Sequence, residues 1–111
     1  MELSKETQEK FQELQILEQN LQSLLLQKQA FQAELNETDN ALEEVSKTKD
    51  DVYKIVGQVM LKSKKQDIEK ELEDKKNILS LRLKSIEKQE HPFRERLEKL
   101  RAEITKEIKK T

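Results

Sequence analysis

The sequence predicts a mostly α-helical chain, a long antiparallel coiled-coil hairpin of two helices joined by one β-hairpin. Three observations lead there. Apolar residues recur every 3.5 positions on either side of the middle, a stripe that is buried only against another helix. The two stripes mirror one another: Leu42 is matched to Leu72, Leu35 to Leu79, Leu21 to Phe93 and Leu14 to Leu100, each pair of numbers adding to 114. The point of reflection is a β-branched stretch, Val52 to Lys62, which holds the chain's one glycine, Gly57. Antiparallel helices set position a of one against position d of the other, so a constant sum is what a chain folded back on itself requires.

The first helix is expected over residues 3–49, where neither Gly nor Pro interrupts the chain. Position a holds Leu14, Leu21, Lys28, Leu35 and Leu42, and position d holds Leu17, Leu24, Phe31, Thr38 and Val45. Eight of these ten are apolar, enough to favour an ordered helix pair over the disorder that so charged a composition could also mean. Ser4 is an acceptable N-cap. Lys28 on the seam reads as a snorkelling side chain or a register device. Leu25 and Leu26 lie off the seam, as do Ile78 and Leu81 in the second half, and they read either as contacts with neighbouring chains or as ordinary exposed leucine and isoleucine.

The β-hairpin is expected over residues 52–62. Gly57-Gln58 fits a two-residue loop whose first position needs positive φ, which sets Val56 opposite Val59 and Tyr53 opposite Lys62. A lone two-stranded hairpin is marginal in water and offers two unpaired edges. Its missing strands are expected from other chains.

The second helix is expected over residues 64–109, opened by Ser63 and Gln66 as a capping box. Its d positions, Leu72, Leu79, Ile86, Phe93 and Leu100, are all apolar, whereas its a positions mix Leu83, Leu97 and Ile104 with Glu69, Lys76 and Glu90. That mixture predicts a loose pair. Pro92 lacks an N–H and crowds the Lys88 carbonyl, so a bend or a break in the ladder is expected there. His91, the one histidine, falls on the outer face and offers no metal or general-base site.

With 33% hydrophobic and 41% charged residues the chain cannot build a thick core, and it reads as a single unit over 1–111. Its 22 basic and 23 acidic residues are interspersed, leaving no basic stripe for nucleic acid. No apolar run approaches the roughly 20 residues of a membrane span, and no signal peptide is evident. Cysteine is absent, in keeping with a reducing compartment, and a cytoplasmic location is expected. There is no phosphate loop, no Cys or His cluster and no nucleophile with a base beside it, so neither enzyme activity nor a cofactor is expected.

The hairpin and its flanks carry a resemblance. Asn36-Glu37-Thr38 and Ala41-Leu42-Glu43-Glu44 before it, Val52 to Lys62 within it, and Leu79 to Glu90 after it closely resemble the β-type subunit of prefoldin. The absence of extended tails matches the archaeal form. The resemblance implies that the hairpin completes an intersubunit β-barrel in a hexamer of two α-type and four β-type chains, this chain being β-type. It implies an ATP-independent holdase that grips non-native polypeptides with coiled-coil tips and delivers them to a group II chaperonin. Carried onto this chain, the assembly residues are Val52, Tyr53, Ile55, Val56, Gly57, Val59, Met60 and Leu61. The client-binding residues are Leu3, Phe11, Leu14, Leu17, Phe93, Leu97, Leu100, Ile104 and Ile108. Phe11 and Ile108 sit beside the seam at e, Ile16 lies further out, and the layers Thr7 with Glu107 and Lys10 with Ile104 predict a poorly zipped end. The competing reading is a structural spacer or tether that docks through its hairpin and holds no client.

Overall fold

The computed structural model describes residues 3–110. The elements run α1 (Lys5–Lys47), β1 (Val52–Val56), β2 (Val59–Ser63) and α2 (Lys65–Lys110). Ser4 does cap α1. Its Oγ accepts the Thr7 N–H at 3.1 Å and lies 2.8 Å from the Thr7 hydroxyl, which satisfies a free amide of the first turn and starts the helix at Lys5 instead of Leu3. At the other end Thr48 Oγ1 accepts the Asp50 N–H at 3.2 Å, a local side-chain turn that ends α1 before Lys49.

The capping box expected at Ser63 does not form. Ser63 is held in β2 by pairing with Val52, and its hydroxyl donates to the Leu61 carbonyl at 3.4 Å. The Lys64 carbonyl instead accepts the first amides of α2, from Asp67 at 3.1 Å and Ile68 at 3.2 Å. The helix is not interrupted at Pro92: α2 continues through it to Lys110 with Pro92 on the exposed side, although proline has no N–H to give the Lys88 carbonyl.

The chain divides into two units. The terminal unit comprises residues 1–28 and 85–111. Leu17, Leu97 and Leu100 are buried at its centre, with Leu14, Leu21 and Phe93 packed against them. These six are the three mirror layers 14 with 100, 17 with 97 and 21 with 93. Each buried leucine contributes about 1.5–3 kcal/mol, which sets the register. Ion pairs straddle the seam in the same register: Lys10 with Glu103 at 3.6 Å, Glu13 with Arg96 at 2.8 Å and Glu18 with Arg101 at 3.2 Å.

The looseness expected at the charged seam position Glu90 is not seen. Its carboxylate is buried between Lys28, 3.5 Å away, and Arg94, while Leu24 and Ile86 are buried beside it. A buried carboxylate left alone would cost several kcal/mol, and the two cations remove that cost without making the site a large source of stability.

The hairpin unit, residues 29–84, has Leu79, Leu83 and Thr38 in its interior. The Thr38 hydroxyl donates to the Glu34 carbonyl at 2.8 Å, so its burial leaves no polar group unpaired. Lys76 meets Asp39 at 3.0 Å, and Lys75 meets Glu34 at 3.2 Å. The Arg82 guanidinium lies 5.7 Å from the centre of the Phe31 ring, within cation–π range.

The Glu13–Arg96 pair yields a testable titration. Arg96 donates to both Glu13 oxygens, at 2.8 and 3.1 Å, and this holds the Glu13 carboxyl below its ordinary 4.5, with charge attraction assisting and loss of water opposing. Because the folded-state value is depressed, the pair supports folding above the carboxylate range and is lost as pH falls through the folded value. Arg96→Gln is expected to raise the Glu13 midpoint toward 4.5, read from the side-chain carboxyl carbon by NMR. An unchanged midpoint would contradict the pairing.

Candidate functional site

The hairpin is a two-stranded antiparallel sheet in which Val52 faces Ser63, Tyr53 Lys62, Lys54 Leu61, Ile55 Met60 and Val56 Val59. Gly57 has φ 60, and no other described residue has positive φ, the pattern of the expected loop with glycine in its first position. A Cβ at Gly57 would meet nothing within 4 Å, so backbone conformation and not space selects glycine there.

Alternation puts Val52, Lys54, Val56, Val59 and Leu61 on one face and Tyr53, Ile55, Met60 and Lys62 on the other. Both faces are apolar and open, Ile55 being 68% and Met60 63% exposed. The lysines are drawn aside. Lys54 pairs with Glu71 of α2 at 3.0 Å, and Lys62 with Asp51 at 3.4 Å. A third lysine braces the base of the hairpin, since Lys65 at the start of α2 donates to the Ser46 carbonyl at 3.0 Å and the Thr48 carbonyl at 3.2 Å. It thereby satisfies carbonyls that the end of α1 leaves free. Among the described residues, no backbone–backbone hydrogen bond reaches the outer edge of either strand. The hairpin therefore presents two apolar faces and two unpaired edges.

At the free end of the terminal unit the nine residues expected to meet a client divide. Leu17, Leu97, Leu100 and Ile104 are interior, and Leu100 is fully buried. Leu3, Phe11, Leu14 and Phe93 are half-buried, and Ile108 is 42% exposed. The end is also better closed than the layers Thr7 with Glu107 and Lys10 with Ile104 suggest. Thr7 is small, bonded to Ser4 and 2% exposed, and Lys10 turns its charge outward to Glu103 and Glu6 while Ile104 is buried. Burial gives the four interior residues the task of holding the helices together. Ile16, absent from the expected set, is 58% exposed. Its c position off the seam was the available signal.

A family model described as prefoldin subunit matches residues 6–111. The chain belongs to the prefoldin subunit family. It is 41% identical to the prefoldin subunit beta of Archaeoglobus fulgidus over 97 residues, 86% of this chain and 84% of that one. With the prefoldin subunit beta of Saccharolobus islandicus it shares 41% identity over 110 residues, 97% of this chain and 87% of that one. Its structure is similar to the crystal structure of the prefoldin beta subunit from Thermococcus strain KS-1, with TM-score 0.88 and 34% identity over 95% of this chain and 94% of the other. Prefoldin subunits are chaperone subunits that assemble with one another, which gives the exposed hairpin its context. No helix among the described residues is long and apolar enough to cross a membrane, and no cluster of His, Cys, Asp or Glu there is arranged to hold a metal.

Proposed function

We propose that residues 1–111 act as one β-type subunit of an ATP-independent holdase of two α-type and four β-type chains, which holds non-native polypeptides in the cytoplasm and passes them to a group II chaperonin. The observation that carries this reading is the hairpin, apolar on both faces and unpaired on both edges. Such an element is marginal in water and is completed by strands from other chains, which would close an intersubunit β-barrel around Val52, Tyr53, Ile55, Val56, Gly57, Val59, Met60 and Leu61.

The client would meet the half-open apolar groups of the terminal end: Leu3, Phe11, Leu14, Phe93 and Ile108, with Ile16 beside them. Leu17, Leu97, Leu100 and Ile104 would back this surface and meet a client only where the end opens. Each contact is weak. Several tips linked through one platform bind a single chain far more tightly than one tip does, because each later contact is intramolecular. Phe11→Gln combined with Ile108→Gln keeps helix-forming residues at exposed or half-buried positions. The double variant is expected to assemble normally and to lose most of its suppression of the aggregation of a chemically denatured protein, measured by light scattering. Undiminished suppression would overturn the assignment of the end, and wild-type assemblies that suppress nothing would favour a tether without clients.

A further inference from the structure

Glu90 is the one buried charged residue among those described, and neither the hairpin nor the client surface uses it. In the mirrored numbering it shares a layer with Leu24, and Lys28 shares the next layer with Ile86. Helical side chains lean toward the N-terminus of their own helix, so in an antiparallel pair Lys28 leans toward Glu90 and Glu90 toward Lys28. The two meet at 3.5 Å, and Arg94 closes the other side of the carboxylate. Two leucines at positions 28 and 90 would fill the seam without taking charge out of water, so stability does not account for the pair.

Choice of partner does account for it. Leucine alone does not tell α1 whether to pair with α2 or with α1 of a second copy. Antiparallel pairing of α1 with α1 would set Leu14 opposite Val45, Leu17 opposite Leu42 and Leu24 opposite Leu35, each pair of numbers adding to 59. Each Lys28 would then face Phe31 of the other copy, and the two lysines would lie in adjacent layers. The a and d positions of α1 hold no carboxylate to receive them. We propose that Lys28 and Glu90 are a partner-choosing pair, directing α1 onto α2 of its own chain and away from α1 of a second copy. On a platform that gathers several arms, as in the assembly proposed above, seams are held at high local concentration. Arms that paired with one another there would no longer stand apart.

The test places a nitroxide at Gln29→Cys, an exposed position in a chain with no cysteine of its own. Positions 29 and 30 also add to 59, so pairing of α1 with α1 would bring the labels of two copies together as a short inter-chain distance, read by double electron–electron resonance. Wild type is expected to show none. Lys28→Leu combined with Glu90→Leu is expected to raise the short-distance population about tenfold or more, because like charges no longer oppose the wrong pair. Its helicity by circular dichroism and its urea midpoint are expected to be no lower than those of wild type. Glu90→Leu alone keeps both lysines in any pair of α1 with α1, and is expected to show no short distance. A double variant without the short distance would overturn the proposal, as would wild type showing it. So would Glu90→Leu giving as strong a signal as the double variant, since loss of the Lys28 charge would then not be the cause. A double variant with a lower urea midpoint than wild type would make the pair a source of stability and would overturn the proposal too.

Discussion

Replacing Leu100 by Ala is expected to destabilise the terminal unit by about 2–5 kcal/mol, the range for removing a fully buried leucine and leaving a cavity. Leu100 has no exposed surface and lies in the cluster formed by Leu14, Leu17, Leu21, Phe93 and Leu97. Those neighbours come from two helices whose separation is also set by the ion pairs Lys10–Glu103, Glu13–Arg96 and Glu18–Arg101, so they cannot collapse fully into the gap. Urea denaturation together with hydrogen exchange of amides in residues 3–28 and 85–110 would measure the loss. Leu100→Met, which roughly conserves volume, is expected to cost less than about 1.5 kcal/mol. A Leu100→Ala effect no larger than that of Leu100→Met would contradict the packing described for this layer.

Met60→Asp is expected to abolish assembly and to leave the isolated chain nearly unchanged. Met60 is 63% exposed, and an exposed substitution of this kind shifts stability by no more than about 0.5 kcal/mol. In an assembly that covers the hairpin face, the same carboxylate would be buried opposite Ile55 without a partner, at a cost of several kcal/mol and thus about a hundredfold or more in affinity. The contrast between the two states is the informative part. Sedimentation of the variant with and without an α-type subunit, beside its thermal unfolding alone, measures both, and assembly at wild-type affinity would contradict the role given to this face.

The parts of the fold legible in the sequence were those governed by repetition. Leucine recurring every 3.5 residues admits few burial partners, and the mirrored numbering of Leu14 with Leu100 and Leu17 with Leu97 left one register, which the buried cluster occupies. The hairpin register was legible because Gly57 is the one residue suited to positive φ, and a two-residue loop then fixes every pair from Val56–Val59 outward.

What was not legible depended on side chains reaching across several residues. Ser63 has the composition of a cap but is claimed by strand pairing, a competition that residue spacing cannot rank. Glu90 looks like a flaw in the seam until Lys28 of α1 and Arg94, one turn on in α2, are seen to converge on it. Lys65 is one lysine among many, and only the arrival of the end of α1 beside it shows that it braces the hairpin. At the terminal end, one stripe of leucine can either hold helices together or meet a client. Burial separates Leu97 and Leu100 from Phe11 and Ile16, where hydrophobicity alone cannot.

The central claim is that this hairpin recruits other prefoldin subunits. Native mass spectrometry of the chain, alone and after mixing with an α-type subunit, tests it most directly. The account predicts a six-chain species with four copies of this chain, and a stable monomer that recruits no partner would contradict it.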